Sequence, residues 1–447
     1  MDNHELNKNI GLVPALSIVV GMVIGGGVFF KPTAIFTATG APGLGIIAWI
    51  IAGIITIAGG LTAAELGAAI PKTGGAIAYL DEAYGDIWGF LFGWAQTVIY
   101  FPGTMAALAI IFATQVVTLL GLDNNLIVPI GIISVVFLTI LNIIGGSKAG
   151  TALQTIATAG KLIPLFLIIV VGFIKGDGGV ARLFPITAPD HPVATGLGSA
   201  LIACMFAYNG WINVGNIAGE MKNPGKDLPK AIIGGLSLVM AVYILINVAY
   251  LFVLPASKLA ATASPAADVA TIIFGSNGGK LISIGILVSI FGCLNGNILT
   301  GARIPYALAT ENKLPFSGWF AELHKKTGAP VNATIFLSLL GIGYIFTGKF
   351  DQLTDLTIFV MWLFYVMTFV AVFILRKNQP DLHRPYKVPL YPIIPIIAIL
   401  GGLYIIINTS ITEPLNAGLG LIFTLIGIPI YTLRKSKSKQ LEKRACA

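Results

Sequence analysis

Long apolar runs separated by short polar or glycine- and proline-marked turns recur along the whole 447-residue chain. A helix needs about 20 apolar residues to cross a bilayer. By this measure the pattern predicts twelve transmembrane helices, near 11–37, 43–69, 84–118, 126–145, 151–174, 195–220, 230–254, 280–302, 331–347, 354–376, 389–408 and 415–434. The expected fold is all-α integral membrane, a single transmembrane domain over 1–447 ending in a short basic tail at 435–447. Composition agrees: 56% of residues are hydrophobic and 10% charged, whereas soluble domains carry roughly 25% charged residues. The opening MDNHELNK is polar and partly acidic, unlike the basic start of a cleavable signal peptide, so the first span is expected to remain.

Two runs break the pattern in the middle. The first, GLVPALSIVVGMVIGGGVFFKP, holds Gly25-Gly26-Gly27 at its centre. Glycine inside a helix costs about 1 kcal/mol relative to alanine. An unwound membrane backbone is tolerated only where protein packs around it or a wet cavity lies beside it. The sixth run carries Phe206-Ala207-Tyr208-Asn209-Gly210-Trp211, with an Asn-Gly turn signal. Close helix packing explains isolated glycines such as Gly53 and Gly172, but not a triplet matched by an Asn-Gly pair. The two interrupted spans open consecutive blocks of five, 11–174 and 195–376, followed by two extra spans at 389–434. Five is odd, so the second block enters from the opposite face. Paired interruptions in an inverted repeat are the sequence mark of a transporter binding site.

Charge sets the expected orientation. Of the 27 lysines and arginines, 20 fall in one alternate set of connections and the tail, and 6, including Lys31, in the other. Lys161 is then the one cation assigned to a span. The positive-inside rule places both termini in the cytoplasm of a multi-pass cell-membrane protein. The net charge of +8 is a topology signal, with no nucleic-acid patch implied. The three cysteines (Cys204, Cys293, Cys446) and four histidines form no metal spacing or disulfide framework. No metal or other cofactor is expected.

The breaks suggest a ligand. A half-helix starting after Gly27 offers free N–H groups and a positive dipole end to a carboxylate. A half-helix ending near Phe206–Tyr208 offers carbonyls to an ammonium. A gap with both suits a zwitterionic α-amino acid. At these residues the sequence resembles the L-amino acid transporter branch of the amino acid–polyamine–organocation superfamily, and its bacterial alanine–serine–cysteine exchangers in particular. GMVIGGGVFFKP, PKTGGAIAYLDEAYG, FAYNGW and RIPYALATENKLP carry the likeness.

The resemblance implies the fold of the bacterial leucine transporter: a 5+5 inverted repeat with spans one and six broken, plus two helices. It implies alternating-access exchange of small neutral L-amino acids. Carboxylate contacts then fall on the amides of Gly26 and Gly27, with Gly25 shaping the turn. Ammonium contacts fall on the carbonyls of Val23 or Ile24 and of Phe206, Ala207 and Asn209. Phe206 is implied to cap the substrate. Asn209 stands where members for large neutral substrates tend to have glycine, which implies a smaller pocket. Members with a heavy subunit join it through a cysteine between spans three and four. Here that loop is Gly121-Leu122-Asp123-Asn124-Asn125, so no disulfide-linked partner is expected.

Lys161 lies mid-span, where an ammonium costs ~2.5–3.5 kcal/mol and is expected to face the protein interior. The resemblance makes it the replacement for a coupling sodium ion, tied to the carbonyls of span one, and places Tyr243 beside it and the substrate. Whether Lys161 also exchanges a proton separates an exchanger from a proton symporter. Glu65 and Glu220 are expected near inner helix ends, paired with loop lysines. Tyr100 and Trp362 are expected to line the pathway or to take a lipid-facing or core position. Nothing reads as an enzyme: Gly160-Lys161-Leu162 lacks the Ser/Thr of a phosphate loop, and no nucleophile–base pair appears. No ring of repeated polar residues suggests a channel filter.

Overall fold

The computed structural model describes residues 11–71, 75–213, 215, 221–347 and 350–434, with side chains described outside 146–160. The described residues contain no β-strand. The main helices are α1 (Leu12–Val23), α2 (Gly27–Thr39), α3 (Pro42–Ala69), α4 (Asp86–Leu120), α5 (Asn124–Ile144), α6 (Gly146–Lys175), α7 (Val193–Ala207), α8 (Pro224–Val253), α9 (Pro265–Gly301), α10 (Val331–Thr347), α11 (Phe350–Asn378), α12 (Ile393–Thr412) and α13 (Pro414–Arg434). Among the described residues nine helical stretches are long and apolar enough to cross a bilayer, and α1 with α2, bent by 46°, makes a tenth. Helices α6 and α10 occupy the ranges expected for the fifth and ninth spans.

Local chemistry sets the irregularities. Pro102 lacks an N–H, and α4 widens into a π-helical turn over Gln96–Tyr100 just before it. The eighth expected span, 280–302, is the rear of a longer helix kinked at Gly275, where φ is +73°. The residues ahead of the kink lie in what was read as connection. The first break falls where the glycines suggest, without any unusual backbone conformation. Ile24 turns extended (φ −70°, ψ 98°) and Gly26 is helical (φ −66°). None of the three glycines takes a positive φ. At Gly27 the reason is space: a Cβ there would lie 2.7 Å from Ala207 Cα.

The chain forms two compact units. One comprises 1–89, 165–279 and 362–412, and the other 90–164, 280–361 and 413–447. Each unit draws on both expected repeats. In the first unit, α3 packs on α8 and neighbouring residues through glycines spaced by seven. A Cβ on Gly53 would meet Met240 at 2.7 Å, one on Gly60 would meet Ile232 at 2.7 Å, and one on Gly67 would meet Leu228 at 2.7 Å. Lipid supplies little hydrophobic drive between helices, so backbone approach of this kind carries the association. Gly172 of α6 abuts Ala249 of α8 in the same way. In the second unit, Asn142 of α5 donates to Asn295 Oδ1 of α9 at 2.9 Å, and Thr139 pairs with Ser338 of α10 at 2.7 Å.

Two charge assignments change. Lys31 is no connection residue: it lies in α2, 1% exposed, with Nζ 5.3 Å above the ring of Phe206. Helix α2 continues to Thr39, so Lys31 stays on the face packed against α7, where an aromatic face holds its charge. Lys161 is therefore not alone within a span. Glu65 pairs with arginines, not loop lysines. Its carboxylate accepts the Arg376 fork at 2.8 and 2.6 Å and the Val388 N–H at 2.7 Å, with Arg384 Nε at 3.6 Å. The Arg376 guanidinium sits 3.8 Å from the Tyr391 ring centroid. Nearby, burial and then the Glu65 charge push the Tyr386 phenol up to about 12. Glu220 lies outside the described residues.

Candidate functional site

Both interruptions belong to the first unit, and their ends meet. Gly27 lies against Ala207 as described. Gly210 takes φ +105°, the left-handed turn its Asn-Gly pair announces, and a Cβ on it would meet the Met22 carbonyl at 3.0 Å. Helix α2 therefore begins beside the place where α7 ends. The amides of Gly26 and Gly27 stand at the head of α2, where the helix dipole is positive. Phe29 N donates to Gly26 O at 3.1 Å, tightening that first turn.

Carbonyls of the two breaks converge on one hydroxyl. Tyr243 Oη on α8 lies 3.0 Å from Val23 O and 2.9 Å from Ala207 O. A phenol has one hydrogen to donate, so two helix-terminal carbonyls share a single donor. Phe206 O accepts from Asn209 N at 3.3 Å. Each carbonyl keeps a second lone pair. The arrangement is a helix N-terminal amide end beside a pair of helix-terminal carbonyls, groups of opposite polarity brought near one another by two broken helices.

Aromatic rings hold this backbone. Trp49 (α3), Tyr208 and Tyr243 contact one another with centroids 5.0 to 5.9 Å apart, and Tyr208 Oη donates to Trp49 O at 3.1 Å. On another side, Tyr365 of α11 donates to Asn209 Oδ1 at 3.0 Å. Tyr365 packs on Trp211 at 5.7 Å and on Trp362 at 5.6 Å.

Val23, Ile24, Gly25, Gly26, Gly27, Phe206, Ala207, Asn209 and Tyr243 all lie in the first unit, while Lys161 belongs to the second. Lys161 is 2% exposed on α6, inside protein and away from lipid. Tyr100 and Trp362 are both buried, which removes a lipid-facing position for either. Trp49, Tyr365 and Lys31 escaped the sequence reading. Tyr365 follows Trp362 by three residues, one helical turn, and that spacing was a usable signal. Lys31 follows Gly27 by four, which places it on the packed face.

The sequence profile of the amino acid permease family matches residues 10–431. The chain belongs to the amino acid permease family. This permease is 44% identical over 432 residues to the serine/threonine exchanger SteT of Bacillus subtilis (strain 168), covering 96% of this chain and 97% of that one. It is 33% identical to the large neutral amino acids transporter small subunit 2 of Homo sapiens, covering 96% of this chain and 80% of that protein. It is 32% identical to the Asc-type amino acid transporter 1 of Mus musculus, covering 96% and 81%. These relatives fall in the L-amino acid transporter branch, and the permease is a transmembrane protein of amino acid transport and exchange.

Proposed function

We propose that this permease is a sodium-independent exchanger of small neutral L-amino acids such as alanine, serine and cysteine, working by alternating access. The observation that carries the reading is the meeting of the α2 amide end with the Val23 and Ala207 carbonyls. Backbone groups of both signs recognise what every α-amino acid shares, and leave the side chain to be judged by neighbours such as Asn209. Gly26 and Gly27 take the carboxylate, with Gly25 shaping the turn. Val23 or Ile24, with Phe206, Ala207 and Asn209, take the ammonium. Phe206 caps the substrate, and Lys161 and Tyr243 serve gating and coupling.

The proposal includes twelve spans in a 5+5 inverted repeat with two further helices, and both termini in the cytoplasm. Lys161 stands in for a coupling cation, which makes transport sodium-independent. The loop 121–125 carries no cysteine, so no disulfide-linked heavy subunit is part of the proposal. The name of the B. subtilis relative supports exchange and hydroxyl-bearing substrates. The buried Lys161 also gives a proton symporter a means of coupling. The test is radiolabelled uptake into liposomes preloaded with single amino acids, with and without sodium. Exchange requires uptake to depend on the amino acid inside. Equal uptake into empty liposomes under a pH gradient contradicts exchange and supports symport.

A further inference from the structure

Away from the two breaks, the first unit borders a second cavity, with a volume of about 410 Å³. That size lies within the range of small-molecule sites. It sits where α3 ends, where α8 begins and where the connection from α11 to α12 folds back. All three segments belong to the cation-rich set of connections. Ala69, Pro71, Leu382 and Pro385 give it apolar walls, and Lys222, Asn223, Lys226 and His383 give it polar ones. Among the described residues that line it there is no carboxylate. Asp227, in the first turn of α8, and Asp381, ahead of Leu382, stand outside the lining. No hydrogen bond or ion pair joins the side chain of Lys222, Lys226 or His383 to another described residue.

The walls are fixed by packing and hydrogen bonds. A Cβ on Gly225 would meet Pro385 Cβ at 2.5 Å, so the connection is seated on the start of α8. Arg384, between His383 and Pro385, donates to the carbonyls of Leu375, Gln379 and Leu382 at 2.8, 3.0 and 2.9 Å. It also lies 3.6 Å from the Glu65 carboxylate. The backbone that carries His383 is therefore held on both sides. Helices α3 and α8 are each long and apolar enough to cross a bilayer, so a cavity at their ends lies at the level of lipid head groups. Basic pockets at that level suit anionic head groups.

We propose that this cavity binds a phosphate group, borne by an anionic lipid or free in solution, between Lys222, Lys226 and His383. The two ammonium groups supply positive charge, and the imidazole supplies a ring N–H. The apolar walls suit the glycerol that follows a lipid phosphate. A bound phosphate joins the end of α3, the start of α8 and the connection after α11. The inference stands apart from the transport reading, because binding is measured without an amino acid.

Isothermal titration calorimetry on the purified full chain in neutral detergent tests it with two probes, inorganic phosphate and dihexanoyl phosphatidylglycerol. An exposed ion pair is worth about 1.5- to 5-fold in binding. Lys222→Gln with Lys226→Gln is therefore expected to weaken binding about 2- to 25-fold. His383→Ala is expected to weaken it as well, and Lys222→Arg with Lys226→Arg to retain it. Lys325→Gln with Lys326→Gln makes the same charge change at two exposed lysines elsewhere and is expected to leave binding intact. Binding of the lipid alone assigns the site to a head group, and binding of inorganic phosphate assigns it to the free anion. Either supports the site when the Lys222 and Lys226 pair weakens it and the Lys325 and Lys326 pair does not. Binding of neither probe to the wild type overturns the inference. So does equal weakening by the two glutamine pairs, which marks a diffuse charge effect, or wild-type affinity in both the Lys222 and Lys226 glutamine pair and His383→Ala.

Discussion

Removing one oxygen atom tests the carbonyl half of the site. Tyr243→Phe keeps the ring, which is fully buried against Trp49 and Tyr208 at 5.2 and 5.0 Å. It deletes the hydroxyl 3.0 Å from Val23 O and 2.9 Å from Ala207 O. In the empty protein these carbonyls then lose their shared donor. Leaving a buried polar group without a partner costs about 1–3 kcal/mol, or roughly 5- to 150-fold in an equilibrium. An amino acid in the gap brings an ammonium with three hydrogens to the same oxygens. The penalty therefore falls mostly on the ligand-free state. Purified Tyr243→Phe is expected to melt several degrees below wild type without ligand, and to show a larger upward shift on adding saturating serine. Thermal unfolding in detergent, followed by size-exclusion recovery, measures both. An unchanged ligand-free midpoint, or a ligand shift no larger than that of wild type, refutes the assignment of these carbonyls to the ammonium.

Glu65→Gln removes a buried charge facing Arg376 and Arg384; breaking one side of a buried pair costs about 3–5 kcal/mol. The partial exposure of Arg376 pulls the value toward the low end, and a markedly lower melting midpoint with reduced folded yield is the expected readout. Gly27→Ala places a Cβ 2.7 Å from Ala207 Cα. Overpacking of about 1–3 kcal/mol is expected, with transport lost at near-normal expression. Lys161→Ala is expected to slow exchange sharply while the protein still elutes as a folded species; wild-type rates would remove its coupling role. Asn209→Gly is expected to admit larger neutral amino acids in competition assays, and an unchanged competition profile contradicts the pocket-size argument.

Much of this was legible in the sequence because membranes impose simple rules. Hydropathy located the helices, since a spanning backbone must satisfy its own hydrogen bonds. The Asn209-Gly210 pair announced a left-handed turn that the structure contains. Local sequence could not reveal which distant side chains complete the breaks. Tyr365 lies 156 positions from Asn209, and the Arg376 fork lies 311 positions from Glu65. Lys31 was misplaced for a related reason. Counting charges treats every lysine near a span end as solvated, yet an aromatic face from another helix holds this one inside. The glycine triplet was a sound flag: the helix breaks there without a positive φ, and a further constraint at Gly27, invisible in the local sequence, comes from a neighbouring helix.

That contact between Gly27 and Ala207 bears on how such a protein can change. At Gly27 the smallest residue is required, and the groups assigned to the ligand's common core are main-chain amides and carbonyls that no substitution can exchange for others. Point mutation can therefore break this half of the site but has little means of retuning it. Variation in diet, so to speak, is left to the periphery, where a side chain such as that of Asn209 can change without altering the main-chain groups. A saturation-mutagenesis map of growth on different amino acids should accordingly split into a silent-or-dead kernel around the two breaks and a ring of positions whose variants trade one nutrient for another.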